Sequence, residues 1–253
     1  MFQTTLPPDA SELMRLSGFL QSLDETPSAA PPPAEGSPWL STLSPSLRQD
    51  LLRFEQGGGV SELLEVLAAS RRHHRALLVH VSLDAHVLPL TIFPEVQLVH
   101  CTLPPKELLG ARLASLVVLH VEPAVLRPPG AAHGGLAVDA AQVAPLGVFA
   151  WELALRGARS TLLPELAGVA AYRVTPAADL RALGLRGSVA AAVSRLQRDS
   201  ASLREISLWP GFSRDRASRL LNGLYLQAAL IVSRTHPAAT HDVSRRGFDI
   251  GGG

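Results

Sequence analysis

The sequence predicts an α/β or α+β fold, with a central, mostly buried sheet of four to five strands and flanking helices. Composition is the first observation: of 253 residues, 47% are hydrophobic and 18% charged, which supplies enough apolar surface for a sizeable core. The second is that short runs rich in Leu and Val alternate with segments of helical period. The same composition excludes a mainly disordered or fibrous protein.

Four apolar runs form the predicted sheet, and a short run further along the chain is a candidate fifth strand. Leu and Val dominate these runs, as is typical of strands. The four runs cover residues 76–83, 87–93, 96–101 and 116–121, and the fifth covers residues 171–174.

Helices are predicted around these runs from apolar residues at helical spacing. Ser44 followed by Pro45 is a typical helix start, because serine caps the first turn and proline is tolerated there. The predicted helices cover residues 11–23, 45–56, 61–72, 104–113, 145–156 and 160–167. Residues 122–143 have no helical period and are predicted to form a long loop or a lid.

A second pattern begins near residue 176. A helix capped by Ser188 precedes a short helix that carries Leu203 and Ile206, and a tight turn follows at residues 209–212. Ser213 caps a longer helix, which leads into a β-rich run over residues 230–233. Short helix, glycine-containing turn, longer helix and strand is the order of a winged helix-turn-helix.

The residues of this segment also resemble a known kind of module. Residues 201–206, 211–213, 217–221 and 230–232 resemble the winged helix-turn-helix modules of bacterial regulatory and signalling proteins. The resemblance covers about 50 residues, roughly a fifth of the chain. It implies a winged-helix-like fold there, and it implies that this part contacts DNA or another protein.

Four regions follow from these patterns. We expect an N-terminal helix and Pro-rich flexible linker over residues 1–38 and a sensing or docking domain over residues 39–175. A winged-helix-like domain is expected over residues 176–236, followed by a flexible tail over residues 237–253.

The charge of the chain is unevenly distributed. The 23 basic and 22 acidic residues nearly cancel, yet residues 1–180 carry a net charge of −5 and residues 181–253 a net charge of +6. Of the basic residues 22 are arginine, which is typical of the coding bias of a GC-rich bacterial genome. The position of the basic excess, on the winged-helix-like segment, is typical of a part that faces nucleic acid.

Five side chains of this segment are the predicted partner or nucleic-acid surface. Arginine and asparagine make bidentate contacts with guanine and adenine edges, and arginine also meets phosphates. The five residues are Arg214, Arg216, Arg219, Asn222 and Arg234, with Arg245 and Arg246 as further phosphate contacts. The alternative interpretation is a solvated helix face or a surface for a protein partner.

Histidines on separate predicted strands are the main sign of enzyme chemistry. His80, His100 and His120 lie on three strand candidates, and Glu122 shares a sheet face with His120. Such a set would suit zinc or iron, but its spacing matches no compact ligand motif, and half-buried strand histidines are the alternative. The glycines at residues 57–59 precede a helix without the lysine of a phosphate-binding loop, which favours a flexible turn.

The sequence therefore favours a non-catalytic regulatory or adaptor protein that signals through protein–protein contact, without a cofactor. A DNA-binding transcriptional regulator is the alternative, and a metal-dependent enzyme is the second alternative. The single cysteine, Cys101, excludes an internal disulfide, and no signal peptide or membrane-spanning run is visible, so we expect a cytoplasmic protein. A protein partner, a homodimer and DNA all remain open as binding partners, whereas a membrane is not expected.

Overall fold

A computed structural model of the chain describes residues 14–24, 44–56, 63–130 and 138–240. These residues form two compact units, which divide between Leu146 and Gly147. The predicted Pro-rich linker, the glycine turn at residues 57–59 and most of the predicted tail, with Arg245 and Arg246, lie outside the described residues.

The N-terminal unit contains four described helices. They are α1 (Leu16–Asp24), α2 (Pro45–Gln56), α3 (Leu63–His73) and α4 (Pro105–Gly110). Helix α2 begins where the Ser44-Pro45 pair predicts it, and the Ser44 hydroxyl accepts a hydrogen bond from the backbone amide of Leu47 at 3.3 Å. An ion pair of 2.6 Å between Arg72 and Asp50 links α3 to α2.

A five-stranded sheet forms the centre of this unit. Its strands are β1 (Leu77–Leu83), β2 (His86–Phe93), β3 (Leu98–Cys101), β4 (Val117–Pro123) and β5 (Val143–Pro145), in the order β4-β1-β2-β3-β5. Every pair of neighbours is antiparallel, which confirms the predicted sheet and selects α+β from the two predicted classes.

The two faces of this sheet differ in chemistry because side chains alternate along each strand. One face is apolar and almost completely buried, with residues such as Leu77, Val79, Leu90 and Ile92 at 0% exposure. The other face carries polar side chains, listed here from β4 to β3: His120, Glu122, His80, Thr91 and His100. The predicted core is therefore on one face, and the predicted histidines share the other.

The C-terminal unit combines short helices with a three-stranded sheet. Its helices are α5 (Leu146–Arg156), α6 (Gly187–Arg198), α7 (Leu203–Ser207), α8 (Arg214–Leu226) and α9 (Pro237–Thr240). Its strands are β6 (Ala171–Val174), β7 (Ala201–Ser202) and β8 (Leu230–Ser233), with β6 in the middle of the order β7-β6-β8. The fifth predicted strand, residues 171–174, therefore belongs to this second sheet.

The units divide earlier in the chain than the boundary expected between residues 175 and 176. Helix α5 and the segment after it belong with α8 by their contacts. The indole of Trp151 on α5 is 2% exposed and lies against Gly223 of α8, which has no side chain to keep it away.

The helix expected over residues 160–167 does not form, and a turn at residues 164–166 replaces it. Two side chains, one from the preceding residue 159 and one from α8, form hydrogen bonds with backbone groups of this segment that a helix would pair internally. Arg159 donates to the carbonyl oxygens of Thr161 and Leu162, and Asn222 accepts from the amide of Leu163. The prediction was wrong because the hydrogen bond between Leu163 and Asn222, which are 59 residues apart, leaves no periodic signal in the sequence.

Candidate functional site

The turn between α7 and α8 projects aromatic side chains next to arginines. Gly211 in this turn has φ +78°, a conformation that favours glycine, and a Cβ there would lie 3.3 Å from the Ser188 side chain of α6. The amide of Phe212 donates to the carbonyl oxygen of Trp209 at 3.0 Å and closes the turn. The turn is thus held in one shape against the beginning of α6.

Two arginine side chains stack on the aromatic rings of this turn. The guanidinium carbon of Arg195, on α6, lies 4.5 Å from the ring centroid of Trp209. That of Arg216, on α8, lies 5.3 Å from the ring centroid of Phe212, and its Nη1 donates to the carbonyl oxygen of Gly211 at 2.6 Å. Such cation–π contacts contribute about 0.5–1 kcal/mol at exposed sites, and they orient both guanidinium groups.

Leu208 completes the surface. Its side chain is 77% exposed, although leucine is usually buried, and the rings of Trp209 and Phe212 next to it are half-buried. We refer to Arg195, Leu208, Trp209, Phe212 and Arg216 together as the turn surface. It combines accessible apolar area with two oriented cations.

Of the five residues predicted to form a partner or nucleic-acid surface, two lie at the beginning of α8. Arg216 belongs to the turn surface, as described above. Arg214 is exposed and lines a neighbouring cavity of about 610 Å³ together with Ser202, Arg204 and Ser218. The exposed carboxylate-bearing side chain of Asp215 lies between these two arginines in the sequence.

The structure corrects the placement of Asn222, which is buried and not on a surface. Its exposure is 0%, and its amide nitrogen donates to the carbonyl oxygen of Thr161 at 2.8 Å. Its amide oxygen accepts from the backbone of Leu163 at 2.9 Å. Both ends of the side chain therefore hold the segment after α5 against α8, and neither is presented to a base.

Arg219 also binds this segment. Its Nη1 donates to the carbonyl oxygen of Gly157 at 2.6 Å and to that of Leu155 at 3.3 Å, and the side chain is half-buried. Sequence reasoning placed Arg219 with Arg216 on one helix face because they are three residues apart. The structure separates them, because α5 and its following segment lie alongside this part of α8.

Arg234 lies apart from the other predicted residues, just after β8. Its guanidinium donates to the carbonyl oxygens of Ala167 at 2.9 Å and Glu165 at 3.3 Å, and the side chain remains exposed. Burial raises the pKa of the Tyr172 hydroxyl, and the nearby positive charge of Arg234 partly opposes that increase. Arg234 therefore has a structural role in addition to any role at a surface.

Sequence reasoning missed four members of the turn surface: Arg195, Leu208, Trp209 and Phe212. Residues 209–212 were interpreted as a sharp turn, and residues 211–213 as part of the resemblance to winged-helix modules. One feature of the sequence could have revealed the aromatic residues: Trp209 and Phe212 flank a Pro-Gly pair, which is typical of a turn at the protein surface. The pairing of Arg195 with Trp209 had no signal, since it joins residues on different elements.

The predicted histidine set is divided in the structure. His80 and His120 are opposite each other on β1 and β4 with ring centroids 6.1 Å apart, and Glu122 lies 3.9 Å from His120. His100 shares their face but lies two strands away on β3, where its Nε2 is 3.2 Å from the amide oxygen of Gln142. Within the described ranges, no three His, Cys, Asp or Glu side chains are grouped as metal ligands.

The polar face has one feature that the metal hypothesis did not anticipate. The ring of Phe19, on α1, lies 5.0 Å from that of His80, so α1 covers this histidine. Burial lowers the pKa of His80, an effect that His120 reinforces and Glu122 opposes.

The chain has no match among protein-family models, curated proteins or solved structures. Of the helices described, none is both long and apolar enough to cross a membrane.

Proposed function

We propose that the protein is a non-catalytic regulatory adaptor that acts in signalling through protein–protein contact, with the turn surface as its docking site. The main observation that supports this proposal is that other parts of the unit, including α5 and the segment after it, cover most of α8. Apart from its first three residues, 214–216, every residue of α8 is buried or half-buried. A helix that reads the major groove instead presents base-contacting side chains on an exposed face.

Two side chains with base-reading chemistry are already engaged inside the unit. Asn222 and Arg219 bind backbone carbonyl groups of residues 155–161, so exposing them would require α5 and its following segment to leave α8. Burial of an unpaired backbone group costs about 1–3 kcal/mol, so these contacts stabilise the covered arrangement. This supports a protein-contact role over base reading.

The remaining exposed features favour a protein partner. Interaction surfaces are enriched in aromatic residues and arginine, and their centres contain residues that would otherwise be buried. Trp209, Phe212, Leu208 and the two stacked arginines have this composition. The winged-helix-like order of the unit is compatible with this role and remains a proposal.

A DNA-binding regulator is the second candidate function, and charge is the observation that favours it. Residues 147–253 carry 14 basic and 8 acidic side chains, a net charge of +6, against 9 basic and 14 acidic in residues 1–146, a net charge of −5. In this case the DNA phosphates would be contacted by Arg214, Arg216 and Arg234. Phosphate contacts do not distinguish bases, so the protein would bind DNA with little sequence specificity.

Site-specific photocrosslinking in the native host tests the proposed function. A photoreactive phenylalanine analogue replaces Leu208, and in a control chain it replaces Val125, which is 86% exposed and lies in the other unit. We expect a protein crosslinked from position 208 and not from position 125. The identified protein is then purified and its binding to the full chain is measured directly.

Variant chains complete this test. Arg195→Ala with Arg216→Ala should weaken binding of the identified protein, whereas Arg48→Ala with Arg112→Ala makes the same charge change on exposed residues of the N-terminal unit and should not. Equal binding by both double variants would contradict the proposal. Binding of a random DNA duplex at about 50 mM salt that fades by about 200 mM and requires Arg214 would support the DNA alternative.

A further inference from the structure

We infer that the turn surface receives an acidic peptide segment that carries a large apolar side chain, so that a leucine or aromatic anchor of the partner packs on Leu208 and Trp209 while flanking carboxylates bind Arg195 and Arg216. This inference rests on the proposed function and names the chemistry of the partner. It follows from the way in which the two cations are held, from the exposed apolar side chain that precedes Trp209 in the same turn and from the local charge.

The stacked arginines are preorganised for carboxylates. A guanidinium has five N–H donors in a planar fork that matches the two oxygens of a carboxylate. Arg216 is held by the Phe212 ring and by one hydrogen bond to the Gly211 carbonyl oxygen, which leaves further donors on the same fork. Because the ring contacts fix these side chains before binding, less rotamer entropy is lost when a carboxylate arrives.

The apolar part of the surface lies along the same turn as the aromatic rings. Leu208 exposes 77% of its side chain immediately before Trp209, whose ring face is occupied by Arg195. When an apolar side chain of the partner covers Leu208, water is removed from the leucine and from the partner's side chain. Burial of apolar surface is favourable in proportion to the area removed from water, so one large anchor supplies the apolar part of the binding free energy.

The local charge selects an acidic partner. Four exposed arginines lie along α6 and at the beginning of α8: Arg195, Arg198, Arg214 and Arg216. Two exposed acidic residues are next to them in the sequence, Asp199 and Asp215. These six residues therefore have a net charge of +2, and the whole unit that contains them has a net charge of +6. A carboxylate-rich segment is therefore attracted, and a basic one is repelled.

A peptide fits these features better than a single-stranded nucleic acid does. Nucleic acids bind to stacking platforms through the open faces of aromatic rings. Here the guanidinium of Arg195 covers one face of Trp209, and the exposed Leu208 offers no stacking face. The turn surface thus combines an exposed apolar side chain with two stacked cations.

The test is selection of a random twelve-residue peptide library on the full chain, followed by binding of the selected peptides in solution. We expect the enriched peptides to contain Asp or Glu on both sides of Leu, Phe or Trp. Fluorescence polarisation of a labelled selected peptide should show binding at least about tenfold weaker for Arg195→Ala with Arg216→Ala, which corresponds to about 1.4 kcal/mol. Leu208→Ser should also weaken it, whereas Arg48→Ala with Arg112→Ala should leave it unchanged.

The outcomes separate this inference from the proposed function. Peptides that need Leu208 but contain no acid, or that bind equally well when each Glu is changed to Gln, overturn the inference and leave the turn surface as a docking site. Selected peptides that bind the turn-surface variants as well as the wild-type chain, or a failure to enrich any peptide, count against the inference and the proposed docking site together. Competition by single-stranded DNA, or a dimer that only Leu208→Ser disrupts, would replace the peptide by a nucleic acid or a second copy.

Discussion

Gly223 of α8 lies directly against the indole of Trp151 on α5. A Cβ at position 223 would be 2.8 Å from Cε3 and 2.9 Å from Cζ3 of this ring, distances that side chains in folded proteins do not tolerate. The contact holds α5 against the part of α8 that carries Arg219 and Asn222, two of the residues predicted to contact bases. The proposed role in protein contact therefore depends on a glycine in the middle of a helix.

Gly223→Ala should destabilise the C-terminal unit. Alanine favours a helix interior over glycine by about 1 kcal/mol, but overpacking a buried site costs about 1–3 kcal/mol, and the buried indole has little room to move. We expect a net loss of stability in urea unfolding of the full chain. Gly110→Ala is the control, because a Cβ there meets nothing within 4 Å; a stabilised Gly223→Ala variant would show that the indole shifts freely.

Asn222→Ala should lower the free energy of unfolding by about 1–3 kcal/mol, because the Thr161 carbonyl and the Leu163 amide lose their partner in a buried site. Denaturant unfolding measures this loss, and Ser194→Ala on the exposed side of α6 is the control. Binding of a random DNA duplex per folded molecule should be the same in Asn222→Ala and in the wild type. A variant of unchanged stability that loses DNA binding would instead return Asn222 to the role of a base-reading residue.

Cys101 should resist alkylation in the folded protein. The residue is 1% exposed, and burial raises the pKa of its thiol to about 11, so little reactive thiolate is present near pH 8. Because Cys101 is the only cysteine and lies on β3, the rate of iodoacetamide labelling, followed by mass spectrometry, measures how often the sheet opens at this strand. We expect slow labelling in buffer and complete labelling in urea; rapid labelling in buffer would mean that β3 opens readily.

Docking of α1 should weaken as the pH falls. His80 is covered by Phe19 and faces His120 and Glu122, and burial lowers its pKa, so the covered state favours neutral His80. An uncovered histidine has the ordinary pKa of about 6.5, so this contribution is present above that pH and is lost as the pH decreases below it. Hydrogen exchange at the Leu16 and Val87 amides, which bond to Ala85 and Met14, should then lose protection.

The variant His80→Phe separates this effect from other titrations. It keeps a ring against Phe19 and removes the titrating group, so the protection of the same two amides, corrected for intrinsic exchange, should no longer depend on pH between about 5 and 7. An unchanged pH dependence in this variant would contradict the role given to His80.

Elements with a local signal were predicted well. The Ser44-Pro45 helix start, the helix after Pro145 and the apolar runs of β1 and β2 depend on capping, proline geometry and alternation, all of which act within a few residues. The short strands β5 and β7 were missed because two or three residues carry no period. The helix expected over residues 160–167 was wrong because Asn222, far away in the sequence, binds its backbone.

The candidate site shows the same limit. Arg214 and Arg216 were selected by residue type and position, and both lie at the exposed beginning of α8. Asn222 and Arg219 were selected by the same reasoning, but helical spacing does not reveal that α5 occupies their side of the helix. The stacked pair of Arg195 and Trp209 joins two elements and was not foreseeable from either one.

The sequence by itself determined the mixture of helices and strands, most of their positions and the separation of a basic C-terminal part from an acidic N-terminal part. These properties depend on residue counts and on periods of two and 3.6 residues, which local chemistry sets. Only the tertiary structure decided which side of α8 is covered, where the arginines point and which rings they stack on. Those relationships arise from contacts between residues that are distant in the sequence, such as Trp151 and Gly223. Such contacts are determined by packing and produce no periodic pattern in the sequence.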